Sequence, residues 1–332
     1  MNFNKKYQHG FTLLELVLVL FILAILTTTS LTFIENEDGQ LRYNQSIEKK
    51  ETIIDALIAV NEEANQKVLS GFVVDNGRLP DFSGTDTADV RINHLLSNAD
   101  SWLSFGSQTV RINAGGTEGD VSPALSLFKG FSNSNYLRND NGTTEYKDGW
   151  GQQFYLSDPS SNQITIGYDG DGTLTGHDPD ASNSSQLAKP TPFDSDNDTL
   201  IAQEDWTIDI SQLNIFVDNN TCTGEGPPCD YEIAVTVFTN QSTCSVTADT
   251  CWDTYHFSTG NLTNGSTYDT SITPTSWDLN GGTAGSGNGA RIPVGEHMAF
   301  VLVNPAVTTY LASAKFKVLP NSTQPTVTLT VP

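Results

Sequence analysis

Carboxylates at alternate positions recur in two stretches of the chain, and that spacing suits a hard cation. The first holds Asp169, Asp171, Asp178 and Asp180; the second holds Asp194, Asp196, Asp198 and, seven residues on, Asp205. Calcium takes six to eight oxygens at about 2.3–2.6 Å, and aspartates at alternate loop positions converge on one point. In the second stretch the carboxylates fall at positions one, three, five and twelve of a calcium-loop frame. Thr199 stands where that frame has its sharp-turn glycine, and Asp205 where it has a bidentate glutamate. Pro190 and Pro192 precede it, which argues against a flanking helix. Asp, Asn and Gly also form solvated turns without any ion. The expectation is at least one structural calcium site that pins a loop. One shared site and two separate ones both fit the residues.

The four cysteines, Cys222, Cys229, Cys244 and Cys251, lie in one window. An even, clustered count beyond an export signal reads as two disulfides in an oxidising compartment. Zinc is the rival, but the six-residue gaps are wide for a ribbon and no histidine falls between Cys222 and Cys251. Of the three connectivities, Cys222–Cys229 with Cys244–Cys251 is the simplest.

A third feature is a single carboxylate where none is expected. The largely apolar run from Phe11 to Ile34 holds one charge, Glu15, with Lys5 and Lys6 ahead of it. As a helix it would span roughly 36 Å, enough for a ~30 Å hydrocarbon layer. A carboxylate near the centre of such a helix costs on the order of 2.5–3.5 kcal/mol, and less near its ends. A secretory signal would be shorter and end at a small-x-small cleavage site, which Leu23-Ala24-Ile25-Leu26 does not supply. A plain anchor fits the length and the lysines but leaves Glu15 unexplained.

Gly10-Phe11-Thr12-Leu13-Leu14-Glu15 resembles the class III signal of type IV pilins and type II secretion pseudopilins at every position. The resemblance implies cleavage after Gly10 by prepilin peptidase on the cytoplasmic face and N-methylation of the new terminus, Phe11. It also implies that Glu15 offsets the Phe11 amine of a neighbouring subunit in a filament core, since a buried charge is tolerated when paired. The implied partners are like or related pilin subunits and an inner-membrane assembly machinery. The implied location is a single-pass inner-membrane precursor, then a periplasmic or extracellular filament. Two later stretches are similar to pseudopilins: Asn76-Gly77-Arg78-Leu79-Pro80, and Asp148-Gly149-Trp150-Gly151 with Gly149 where proline is usual. Asp169-Gly170-Asp171-Gly172 resembles the calcium loop of major pseudopilins. The family's usual tip-capping member lacks the glutamate, so Glu15 implies a subunit that can sit within a shaft.

The elements that carry these residues follow from patterning. Thr27 to Ser30 is a weak helical patch, either unwound on assembly or held by hydroxyls bonding to the preceding turn. Gly39 is a candidate bend. Beyond it Tyr43, Ile47, Ile54, Leu57, Ile58 and Val68 recur at helical spacing, which predicts an amphipathic helix ending near Gly71. Ile92 to Phe105 reads as a short helix within a variable connection. Two strands, around Phe154 to Leu156 and Gln163 to Tyr168, read as a hairpin. From Thr207 onward, short period-two runs separated by Gly, Asn, Pro and Ser predict a β-sandwich. The fold class is therefore α+β: a long N-terminal helix on an antiparallel sheet, then a β-sandwich-like domain. The implied division is leader 1–10, membrane or filament-core helix 11–38, head 39–206 and β domain 207–332.

With 39 acidic against 16 basic residues and a net charge of -23, the chain offers no overall electrostatic grip on nucleic acid. His94, His177, His256 and His297 are scattered, with no triad order and no zinc-protease motif, so an enzyme is not expected. His256 reads as a surface residue. Trp252, Tyr255 and Trp277 read equally as core or as an aromatic ledge for a sugar or peptide.

Overall fold

A computed structural model describes residues 13–63, 66–80, 88–97, 103–114, 117–131, 136–138, 146–151, 153–160, 163–168, 199–220, 229–240, 251–263, 265–271, 276–283, 285–302, 308–321 and 324–332. Helix α1 runs unbroken from Leu13 to Leu57, 45 residues. The threonine patch stays helical: Thr27, Thr28 and Thr29 each donate to carbonyls three and four residues back, at 2.9–3.1 Å. Nor does Gly39 bend the chain; it lies buried inside the helix.

The predicted end of this helix at Gly71 is overturned. After Leu57 the chain turns into strand β1 (Ala59–Glu63), which pairs antiparallel with β2 (Gln66–Ser70). Val60 and Val68 suit extended backbone. Gly71 marks a tight return: its φ is +119°, and a Cβ there would lie 2.6 Å from the Leu57 carbonyl oxygen. The stripe is shifted accordingly. Ser46, Lys50, Ile53, Ala56 and Leu57 are buried, while Tyr43, Ile47, Ile54 and Ile58 are half-buried.

Helix α2 (Phe72–Asn76) ends on Gly77 in the left-handed conformation, so the Asn-Gly turn forms as read. Helix α3 (Ala88–Leu96) buries Leu95 and Leu96 but is shorter than predicted, and Leu103 lies beyond it. Strands β3 (Gly106–Thr109), β4 (Arg111–Ala114), β5 (Thr117–Asp120) and β6 (Ser126–Lys129) pair as β3 with β6 and β4 with β5. The predicted hairpin is β7 (Phe154–Ser160) with β8 (Gln163–Tyr168), and β9 (Thr199–Ile201) adds to β8.

Helix α4 (Gln203–Trp206) leads into β10 (Thr207–Asp209), β11 (Asn214–Asn219), β12 (Cys229–Phe238) and β13 (Trp252–Leu262). Then follow β14 (Thr267–Asp269), β15 (Asp278–Leu279), β16 (Arg291–Pro293), β17 (Gly295–Leu302), β18 (Tyr310–Val318) and β19 (Thr326–Val331). A five-stranded sheet has the order β15-β13-β12-β17-β18, and a three-stranded sheet the order β14-β11-β19. Alternation in β11 and β19 buries Ile215, Val217, Val327, Leu329 and Val331. They join Ile233, Val235, Phe257, Val301 and Val318 of the larger sheet in one core cluster. That is the two-layer logic of a sandwich.

The larger sheet is also covered behind. Ala234, Phe238, Met298, Phe300 and Leu302 cluster with Val110, Ile112, Val121 and Leu127 of the 106–129 strands. Strands β12 and β17, buried on both faces, therefore read as near-continuous apolar runs. Trp252 and Trp277 are core residues: Trp252 meets Phe238 edge-on at 5.1 Å, and Trp277 meets Phe257 at 4.7 Å. The ledge of three aromatics does not form. His256 is likewise buried, not at the surface.

Candidate functional site

From Leu13 to Thr29 every described side chain of α1 is exposed, and the apolar ones stand out on all faces. Leu13 is 82 % and Phe21 64 % accessible. A helix apolar all round belongs inside an apolar surrounding, and no described part of its own chain covers it. Glu15 sits in its first turn, where the helix dipole favours negative charge. Gly10 and Phe11 lie outside the described residues. Within the described residues no helix is long and apolar enough to cross a membrane.

Below this rod, α1 is fastened to the head. Ser46 Oγ donates to the Arg42 carbonyl at 2.9 Å and accepts from the Gly149 N–H at 2.9 Å. Lys49 Nζ donates to the Lys147 carbonyl at 2.6 Å. A Cβ on Gly149 would collide with the Arg42 carbonyl. A proline there would lack the N–H that Ser46 receives, which accounts for glycine at that position.

Residues 5–31 match the prokaryotic N-terminal methylation motif. The N-terminus is pilin-like. No curated protein and no solved structure matches the chain. The match supports a type IV pilin-like or pseudopilin-like protein, processed by prepilin peptidase and membrane-anchored as a precursor before assembly. It points to a structural rather than a catalytic family.

Of the predicted cation ligands, Asp169, Asp171, Asp178, Asp180, Asp194, Asp196 and Asp198 lie outside the described residues. Asp205 is described, and its Oδ2 accepts from the Ala202 N–H at 2.8 Å at the start of α4. Among the described residues no cluster of three or more His, Cys, Asp or Glu is placed to hold a metal. Cys222 and Cys244 also lie outside. Cys229 opens β12, and Cys251 is buried just before β13.

Sequence reasoning missed two buried polar centres. The alternation of strand β6 turns Phe128 outward, 69 % exposed, and Lys129 inward, 2 % exposed. Lys129 Nζ donates to the Val74 carbonyl at 2.7 Å. Burial pulls its ammonium down to about 8, against the opposing pull of Asp75 and Glu296. Burial likewise lifts Asp75 to about 6, although the Tyr136 hydroxyl donates to it at 2.9 Å. The neighbouring His297 is held neutral, down to about 3, by burial and by Lys129; its Nε2 donates to the Pro293 carbonyl at 2.8 Å.

The second centre pairs Glu232 with His256, Oε1 to Nδ1 at 3.5 Å. His256 Nε2 donates to the Asn113 carbonyl at 2.8 Å, which leaves Nδ1 as an acceptor. Burial, then Asp278 and Asp230, lift Glu232 to about 7. In that range the carboxyl keeps a proton and can offer it to Nδ1. Neither centre left a motif; the one trace is a lysine in an inward register.

Proposed function

We propose that the protein is a structural subunit of a type IV pilus-like or pseudopilus filament. Prepilin peptidase cleaves it after Gly10, Phe11 becomes the methylated terminus, and the N-terminal helix is its assembly element. One observation carries this reading: an exposed rod, apolar on all faces and holding the single acid Glu15, falls within the matched motif. In the apolar core of a filament Glu15 is tolerated by facing the Phe11 amine of a neighbouring subunit. The rod waits in the inner membrane and ends in a periplasmic or extracellular filament, alongside copies of itself or related pilins.

A second reading has its own support. The 207–332 half forms the two-layer β structure and contributes most of a solvent-open cavity, which suits a minor pilin or adhesin that displays a binding part. Two disulfides belong to the proposal, with no described cysteine a free thiol. A calcium-pinned acidic segment between residues 169 and 205 belongs to it too.

The deciding variant is Glu15→Ala. It should insert into the membrane as before while filament yield falls at least tenfold by electron microscopy and shearing. Filaments of normal number and length would remove the shaft role.

A further inference from the structure

Beside the end of α2, and between α4 and the β10–β16 pair, lies a cavity of about 510 Å³. Gln203, Trp206, Thr239, Asp253, Tyr255 and Arg291 give it its chemistry. The volume is that of a small-molecule site, on the order of one or two sugar rings.

Its polar groups are held in place before any ligand arrives. Arg291 donates from Nε to Thr207 Oγ1 at 2.6 Å and from Nη2 to the Thr207 carbonyl at 3.1 Å. Thr207 Oγ1 in turn donates to the Gln203 carbonyl at 2.7 Å. Those contacts engage one side of the guanidinium fork and leave further N–H donors for the cavity. Asp253 is oriented through Oδ1, which accepts from Asn280 Nδ2 at 3.0 Å. Trp206 is half-buried, and its carbonyl accepts from the Val294 N–H at 2.8 Å, so its backbone is tied to the corner between β16 and β17.

The lining disfavours two ligand classes. One acid and one base balance each other, so an anion gains little here, inside a chain of net charge -23. A peptide adding as a strand finds no open edge on β12 or β13, which both have neighbours on either side in their sheet. A neutral molecule with a C–H face for an aromatic ring, and adjacent hydroxyls for planar donors and acceptors, fits both constraints.

We propose that this cavity binds a neutral mono- or disaccharide. Trp206 packs on the sugar's C–H face, Arg291 donates to one hydroxyl, and Asp253 accepts from its neighbour. The proposal rests on the reading that the C-terminal half is the displayed, ligand-binding part of the subunit.

The test uses the full chain in detergent micelles on an array of neutral oligosaccharides, with sialylated and sulfated oligosaccharides and short peptides as comparators. Saturable binding to a subset of neutral glycans is expected, competed by the matching free sugar and accompanied by a change in tryptophan fluorescence. Asp253→Asn, which keeps an oxygen for Asn280, should weaken binding at least tenfold. Trp206→Phe should abolish the fluorescence change while the thermal midpoint stays near that of the parent. No neutral glycan bound, preference for acidic glycans or peptides, or undiminished binding by Asp253→Asn would each overturn the proposal. Cell attachment by assembled filaments separates it from the reading beneath it. Filaments that attach regardless of Asp253→Asn sink the sugar site alone, whereas sugar binding without attachment sinks the adhesin role.

Discussion

Asn240 Nδ2 donates to Asn76 Oδ1 at 2.8 Å, with both side chains fully buried. The Asn240 N–H also donates to the Asn76 carbonyl at 2.8 Å, and Asn240 Oδ1 accepts from the Leu103 N–H at 3.1 Å. One asparagine thus clasps the turn after α2, the approach to β3 and the exit of β12.

Asn240→Ala should be among the costliest polar substitutions in the chain. It orphans the Leu103 N–H and removes the donor to Asn76, whose side chain is fully buried. A loss of about 2–3 kcal/mol is expected, read as a lowered urea midpoint at unchanged slope. A loss under about 0.5 kcal/mol would mean that the clasp does not hold.

Glu232 sets a pH dependence. Its folded-state value of about 7 lies above the ordinary 4.5, so the folded protein holds this proton more tightly than the unfolded chain. The stability tied to the proton is present below pH 4.5 and is lost as pH rises through 7. The facing groups are His256 on β13, Asp278 on β15, Asp230 on β12 and the Asn113 carbonyl on β4. Glu232→Gln supplies a permanent N–H to His256 Nδ1. It should match the parent near pH 4 and exceed it near pH 8, by on the order of 1 kcal/mol once solvent screening is allowed for. His297 titrates the other way, losing stability as pH falls from 6.5 towards 3. Melting curves are therefore compared as variant minus parent, and a difference flat with pH would refute the assignment.

Gly149→Ala forces a methyl group against the Arg42 carbonyl and strains the Ser46 link between α1 and the head. A cost of about 1–3 kcal/mol is expected. At Gly151 a Cβ meets nothing within 4 Å, although φ is +86°. Gly151→Ala should therefore cost less, about 1 kcal/mol. Gly149 has no left-handed φ, so a loss there no larger than at Gly151 would show that its contact with α1 is not tight.

Calcium should raise the thermal midpoint of the full chain. Binding to the native state at a hundredfold excess over Kd is worth about 2.7 kcal/mol, or roughly 4 °C for a chain of this length. A chelator should reverse the rise, and Asp196→Asn with Asp198→Asn should abolish it. An unmoved midpoint in millimolar calcium would leave the acidic segment as a solvated turn.

What could be read from the residues was periodic or punctuated. The α+β class, the Asn76-Gly77 turn, the β7–β8 hairpin and the strands of the C-terminal half all announced themselves by period or by Gly and Asn. The helix end did not: Ile58 and Val68 continue a helical spacing that tertiary pairing of β1 with β2 overrides. Nor did the cover over the back of β12 and β17, since short strands rich in Ser, Gly and Thr carry little pattern. Lys129 and Glu232 were illegible because burial of a single charged side chain depends on which distant strands pass over it. The N-terminal signal is the opposite case. It occupies consecutive residues from Gly10 to Glu15, so its recognition needs no tertiary partner.

The clasp of Asn240 on Asn76 also sets how force travels. A tug on a ligand seated beside Asp253 reaches β12 and then α2 across two hydrogen bonds, bypassing the 164 positions that separate the two asparagines along the chain. From α2 it passes to the returning turn at Gly71 and the foot of α1. Load between the cavity and the foot of α1 is thus carried through a buried, hydrogen-bonded clasp.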